Sequence, residues 1–349
     1  MVDATRVLIL GGSWFLGRTI AESAVALGAE VTTFRRGVSG TDADGVTVFY
    51  GDRTDPADIA RLASAGTWDA VIDTSSYVPR ETLQLARALE PVVERYVLVS
   101  TVAVYSGWPL KPLTESSDVL ECPADAGPDF SHAGDPRPSQ YSITKAGCER
   151  AVTETFGPER TAILRPGVIL GPLEYVGRLE WWLRRMQRGG RVLGPGCPSR
   201  SIQPVDVRDV AEFALHACTS SGTWNVTASG IDTMGDLLEA CNRVAADGEA
   251  RIEWVTDEDW LQAHGVSQWK ELPLWRTHRG TWAVDSQRAR VEGLICRPLS
   301  DTVSDTWEWL TCGGAPIAHV RAGELGLCPD REQAVLRAWD AHQLERRGA

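Results

Sequence analysis

Apolar positions along this chain recur in two periods, and the switches between them mark the elements. Val7-Leu8-Ile9-Leu10 is a short continuous apolar run, the pattern of a strand buried on both faces, and Gly11-Gly12 ends it. Leu16, Ile20, Ala24 and Leu27 then return at helical spacing until Gly28 supplies a stop. Glu30 to Arg36 reads as a second strand and Val46 to Tyr50 as a third. Asp55 is placed to cap a helix that opens Pro56-Ala57-Asp58. Trp68 to Asp73 reads as a buried strand ending in Thr74-Ser75-Ser76, a helix runs through Ala86, and Tyr96 to Val99 is a further strand. Such alternation predicts an α/β chain with a doubly wound parallel sheet, its site at the C-terminal edge of the strands.

Residues 107–140 are rich in Pro, Gly and Asp without a convincing period, which suggests a loop acting as a lid over substrate. A helical stretch follows from Tyr141 through Ala146, Glu149, Arg150 and Val152. Leu179, Trp182, Leu183 and Met186 give a helix over Arg178 to Arg188, closed by Gly189-Gly190. Thr223 to Val226 reads as a strand returning to the sheet, and Thr233-Met234-Gly235-Asp236 as the start of a helix. Asp285 to Ala289, Pro298-Leu299 and Trp307 read as closing helices. Asp330-Arg331-Glu332-Gln333 has capping-box spacing ahead of a tail helix. The expected division is 1–170 for a nucleotide-binding domain, rejoined by 200–228, and 171–349 for a smaller C-terminal substrate-binding lobe with a helical tail.

Charge and cysteine usage narrow the classes. With 35 basic and 47 acidic residues, the net charge of −12 argues against nucleic acid or an anionic membrane surface as partner. No apolar run approaches the ~20 residues that span a bilayer, and Met1 to Arg6 lacks a signal peptide's apolar core. The eight cysteines are scattered without a Cys-x-x-Cys pair, as expected of reduced packing residues in a cytoplasmic protein with no metal site.

The chemistry gathers at two places. A strand feeding a helix through a glycine turn aims main-chain N–H groups and a helix N-terminus at an anion, in this setting a dinucleotide pyrophosphate. The candidate contacts are Gly11, Ser13, Trp14, Phe15, Leu16 and Gly17. Trp14 stands where a glycine would let the backbone approach the phosphate, so its side chain must swing away, stack on the cofactor or block the pocket. Arg35 and Arg36 end the second strand, where a carboxylate would hold the ribose of NAD(H). Arginines there suit a 2′-phosphate and favour NADP(H), with NAD(H) the alternative. The second place is Tyr141-x-x-x-Lys145, a phenol and an ammonium one helical turn apart. A nearby ammonium favours phenolate, which suits proton transfer, and the Thr101 hydroxyl is placed to share the substrate oxygen.

Gly11-Gly12-x-x-x-x-Gly17, Gly51-Asp52, Ser100-Thr101-x-x-Val104-Tyr105, Tyr141-x-x-x-Lys145, Leu164-Arg165-Pro166-Gly167 and Val207-Arg208-Asp209-Val210-Ala211 together resemble the extended short-chain dehydrogenase/reductases, or NAD-dependent epimerase/dehydratase family, over residues 5–310. The resemblance implies a Rossmann-type sheet and Thr101, Tyr141 and Lys145 as the catalytic set. It implies Asp52 and Arg53 flanking the adenine, Thr74 and Ser75 along the cofactor, and Pro166, Gly167 and Val168 near the nicotinamide. It leaves open a homodimer through the Tyr141 helix. Val102-Ala103 after Thr101 speak against a sugar dehydratase, whose members carry Asp-Glu there. Ile202 stands where nucleotide-sugar members often carry arginine, with Arg200 two residues earlier, which puts such a substrate in doubt. A reductase of a small-molecule ketone, an NAD-retaining epimerase and a non-catalytic nucleotide sensor stay open, the reductase ahead.

Overall fold

A computed structural model describes residues 5–38, 40–132, 139–314 and 325–348. The chain divides into two compact units, the first comprising residues 1–169, 204–229 and 283–296 and the second the remainder. Residues 283–296 thus join the first unit, an addition that apolar periodicity does not signal.

In the first unit β1 (Arg6–Leu10), α1 (Phe15–Ala26), β2 (Glu30–Arg35), β3 (Thr47–Tyr50), α2 (Pro56–Ala63), β4 (Trp68–Asp73), α3 (Pro79–Leu89) and β5 (Val93–Val99) follow in order. Then come α4 (Gln140–Phe156), β6 (Thr161–Pro166) and β7 (Ile169–Leu170), whose last residue falls in the second unit. The second unit contributes α5 (Arg178–Gln187) and β8 (Arg191–Pro195) before β9 (Val205–Asp206), α6 (Val207–His216) and β10 (Gly222–Val226) resume the first. Seven parallel strands stand in the order β10-β6-β5-β4-β1-β2-β3. The order reverses direction between β1 and β4, where a doubly wound sheet opens a crevice at its C-terminal edge. Leu8, Leu10, Val71, Tyr96 and Leu98 of the sheet pack with Leu85, Ala86 and Leu89 of α3 and Cys148, Val152 and Phe156 of α4. Asp55 accepts from the Ala57 N–H and Pro56 opens α2, so that helix begins where the sequence placed it.

The long stretch after β5 is anchored. A turn of 3-10 helix (Val102–Val104) leads into Tyr105, which bridges to Val119. Val102, Tyr105, Leu113 and Val284 form a small apolar cluster with Trp108 and Val119. Residues 133–138 of the expected lid lie outside the described residues.

In the second unit α7 (Met234–Ala246) starts at Thr233 with a reciprocal capping box to Asp236, and β11 (Arg251–Val255) pairs in parallel with β8. The first unit then adds α9 (Gln287–Glu292) after α8 (Glu258–Ala263), and α10 (Leu299–Thr311) and α11 (Pro329–Gly348) close the chain. The spacing places a capping box at Asp330, one residue inside the helix as it stands. The helix already opens at Pro329, and Glu332 turns inward. Glu332 accepts from Arg185 Nε at 2.6 and 2.9 Å and from the Leu193 N–H at 3.1 Å, while Arg185 also donates to the Gly189 carbonyl at 3.0 Å.

This pair is buried, whereas the Arg191–Asp340 bridge of the same helix has side chains 34% and 48% exposed. Removing one partner of a buried pair strands the other charge, so Glu332→Ala is expected to cost about 3–5 kcal/mol. Asp340→Ala is expected to cost under about 1 kcal/mol. Urea unfolding of the two variants measures the contrast, and equal losses would contradict the assignment.

Candidate active site

The glycine turn closes because two side chains are missing. A Cβ on Gly17 would fall 2.1 Å from the Gly11 carbonyl oxygen, and one on Gly11, at φ +92°, would fall 2.9 Å from Thr74 Oγ1. α1 therefore begins hard against the end of β1. Thr74 Oγ1 donates to the Leu10 carbonyl at 3.0 Å and the Gly11 N–H to that of Phe34 at 3.1 Å. Trp14 is the residue before the helix, half-buried, with φ −141° and ψ 137°, an extended conformation that any residue adopts. The left-handed position belongs instead to Phe15, at φ +38°. Ser13 and Leu16 are buried. The outer glycines and the N-terminus of the 12-residue α1 fit a dinucleotide pyrophosphate, and only the middle position departs from the glycine pattern.

Next to this turn, β4 ends in a dense polar knot. Asp73, without solvent exposure, receives both Nη atoms of Arg53 at 3.1 and 3.0 Å, the Ser75 N–H at 2.8 Å, the Tyr96 hydroxyl at 2.7 Å and the Ser76 hydroxyl. Burial alone would raise the Asp73 pKa, but Arg53 and the hydroxyl donors outweigh it and hold it down at about 2. Arg53, expected to flank the adenine, has its guanidinium engaged in this knot. Its guanidinium turns inward to Asp73 and to Ser75 Oγ at 2.8 Å, because the buried carboxylate needs a countercharge. Asp52 spends one oxygen on the Thr54 N–H and hydroxyl, at 2.9 and 2.8 Å.

Across the sheet edge Ser139 caps α4, and the first turns of that helix carry Tyr141 and Lys145. Tyr141 is 46% exposed and Lys145 only 2%. The Lys145 ammonium donates to the Ser76 carbonyl at 2.9 Å and to that of Val99 at 2.6 Å, so it ties the ends of β4 and β5 together. Burial pushes its pKa down. Thr101 Oγ1 accepts from the Ala103 N–H at 3.2 Å, and its own hydroxyl proton is left to donate elsewhere. Beyond it, Pro166 ends β6, with Gly167 and Val168 half-exposed just after.

Three residues of this edge escaped the sequence reading. Tyr77 is half-exposed, its ring 6.3 Å from that of Tyr141 and 5.8 Å above the Lys145 Nζ. Its one sequence signal is adjacency to Thr74-Ser75. Glu149 and Arg165 form a buried bidentate pair at 2.9 and 2.6 Å that also takes the Ser100 hydroxyl. Neither could be told from a solvated charge by spacing. The 2′-phosphate reading of Arg35 also changes, because Asp42 holds its guanidinium from the following loop.

A parallel sheet of this order, with a glycine turn at its switch point and a Tyr-x-x-x-Lys helix beside it, defines an NAD-binding Rossmann protein. The chain belongs to the NAD dependent epimerase/dehydratase family, whose model matches residues 7–227. It is 28% identical over 267 residues to the chloroplast stem-loop binding protein of 41 kDa b of Arabidopsis thaliana, covering 71% of this chain and 65% of that one. It is 29% identical over 170 residues to 2′-dehydrokanamycin reductase of Streptomyces kanamyceticus, covering 48% and 44%. The chain therefore spans less than two thirds of the length of either relative. The fold is shared with UDP-glucose 4-epimerase of Thermus thermophilus in complex with NAD, at TM-score 0.60 and 20% identity over 88% of this chain and all of that one. The relatives lend NADP no preference. Among the described residues no helix is long and apolar enough to cross a membrane, no group of acidic, His or Cys side chains could hold a metal, and all eight cysteines are free.

The depressed Asp73 pKa has a pH consequence. A carboxyl near 3.8 when unfolded and about 2 when folded adds stability above the unfolded value that drains away as pH falls through the folded one. The loss is expected to amount to about 2 kcal/mol between roughly pH 5 and 1. Asp73→Asn should be less stable at neutral pH and lack that acid limb in urea melts taken across pH. An acid limb unchanged in the variant would reassign it to other carboxyls.

Proposed function

We propose that this chain is an NAD(P)-dependent oxidoreductase of the extended short-chain dehydrogenase type. The substrate is a secondary alcohol or ketone of a sugar-like or secondary-metabolite small molecule. The observation that carries this reading is Lys145: an ammonium 2% exposed, met by two carbonyls and, among the described residues, by no carboxylate within ion-pair distance. Holding a cation in that way costs stability, and it leaves one N–H for a bound group beside Tyr141. In this reading Tyr141 exchanges the proton of the substrate oxygen, Thr101 orients that oxygen, and Lys145 favours the phenolate and holds the cofactor ribose. The bound nicotinamide supplies or accepts the hydride. Gly11, Ser13, Trp14, Phe15, Leu16 and Gly17 hold the pyrophosphate, with Asp52, Thr74, Ser75 and Pro166 to Val168 along the rest. Arg36, exposed at the end of β2, stays the candidate for a 2′-phosphate.

Two other readings each have an observation in their favour. The capture of Arg35 by Asp42 weakens the case for NADP and so favours an epimerase that keeps its NAD. Trp14 in the glycine turn and the likeness to a stem-loop binding protein favour a non-catalytic sensor.

The nucleotide released on denaturing the purified protein separates them. Stoichiometric NAD⁺ marks the epimerase, an empty protein that oxidises a reduced dinucleotide with ketones marks the reductase, and binding of neither removes the enzyme reading. In the active protein Tyr141→Phe is expected to lower kcat by about 10²- to 10⁴-fold with dinucleotide affinity nearly unchanged. Hydride transfer at the wild-type rate in that variant would sink the role given to Tyr141.

A further inference from the structure

β2 ends at Arg35 and Arg36 follows it directly, where a ribose-binding carboxylate is ordinarily sought. Arg35 is nonetheless already taken. Its Nε donates to Asp42 Oδ1 at 2.6 Å, its Nη2 meets Asp42 Oδ2, and the two side chains are only 10% and 25% exposed. The guanidinium also lies over the Tyr50 ring, 5.2 Å from its centroid. A planar fork filled by one carboxylate in this way has its best donors committed.

The loop that carries Asp42 is itself seated on the glycine turn. Gly40 has φ +65°, and a Cβ there would fall 1.8 Å from the Ser13 carbonyl oxygen, so backbone rests on backbone. On its next residue Thr41 accepts from Arg18 Nη1 of α1, whose Nε is fixed by Glu22 at 2.7 Å. Asp42 therefore reaches the end of β2 from a tethered loop, beside the turn that opens α1.

We propose that Asp42 sets cofactor choice. Clamped on Arg35, it takes up the more buried of the two arginine charges a 2′-phosphate would meet there, leaving only the exposed Arg36, and presents a carboxylate suited to a ribose 2′-hydroxyl, making the chain selective for NAD(H). This inference rests on the dinucleotide reading above. A phosphate would have to displace Asp42 from a mostly buried pair, whereas a hydroxyl can donate to a carboxylate lone pair left over. The sequence hides the arrangement, because the compensating acid lies seven positions after the arginine, across a loop.

The test titrates wild type, Asp42→Asn and the double variant D42N/R35A with NADH and NADPH, reading bound dinucleotide by calorimetry, with thermal melts to check folding. The expected result is at least a tenfold preference of wild type for NADH. D42N is expected to shift the ratio of affinities tenfold or more towards NADPH, and R35A to abolish that shift. Should D42N not fold, Arg35→Gln replaces it and is expected to keep the preference for NADH, which its loss would contradict. A wild type that prefers NADPH, or a folded D42N whose ratio moves less than threefold, overturns the inference while leaving the dinucleotide reading intact. A folded wild type that binds neither overturns both.

Discussion

Asp73 is the group on which the geometry of the sheet edge depends. A carboxylate with no solvent exposure is expelled by desolvation unless its oxygens are engaged, and here Arg53, Ser75, Ser76 and Tyr96 engage them. These bonds fix the path of the chain just after β4, which sets two further contacts. Thr74 is held where its hydroxyl meets the Leu10 carbonyl behind the glycine turn, and Ser76 presents its carbonyl to Lys145. The glycine turn and the Tyr141 helix, far apart in sequence, thus share one support. Any change that releases Asp73 moves both.

The other side of the edge is built on the same plan. Glu149 on α4 takes Arg165 of β6 and the Ser100 hydroxyl, and Arg165 lies over the Tyr105 ring at 4.6 Å. The Tyr105 hydroxyl in turn donates to Asn225 of β10 at 2.7 Å. Buried ion pairs are weak evidence for stability, since an apolar replacement can match them. Their effect here is geometric: one fixes the residue after Thr74, the other the residue before Thr101. Between them the Lys145 ammonium of α4 donates to the Ser76 and Val99 carbonyls, so the helix that carries Tyr141 and Lys145 is tied to strand ends that polar networks hold, with Thr101 just beyond β5.

Much of the fold was legible because parallel strands are continuous apolar runs and their helices carry one apolar stripe. Trp68 to Asp73 and the start of α2 at Pro56 came straight from that pattern and from one cap. The tail helix shows the limit. Asp330 and Gln333 imitate a cap by spacing alone, whereas the energetics belong to Glu332 meeting Arg185 and Leu193, distant in sequence. The same limit applies to Arg53 and Arg35. Each lies in a motif that reads as facing a ligand, and each is turned by a carboxylate whose position depends on the folded chain. Residue type and spacing report which charges are present; which charge answers which is a tertiary fact.

Trp14 makes the complementary point about the glycine turn. The outer glycines are required by close approaches, 2.1 Å to a main-chain oxygen at Gly17 and 2.9 Å to the Thr74 hydroxyl at Gly11, where φ is also +92°, so a side chain at either would strain the turn as it stands. At the middle position the main chain is extended and asks for no glycine, and the left-handed kink has moved to Phe15. The fold therefore constrains two of the three positions and leaves the middle one to the ligand. A tryptophan there is compatible with the sheet, the helix and their packing alike, so its consequence falls entirely on what approaches the helix N-terminus and from which side.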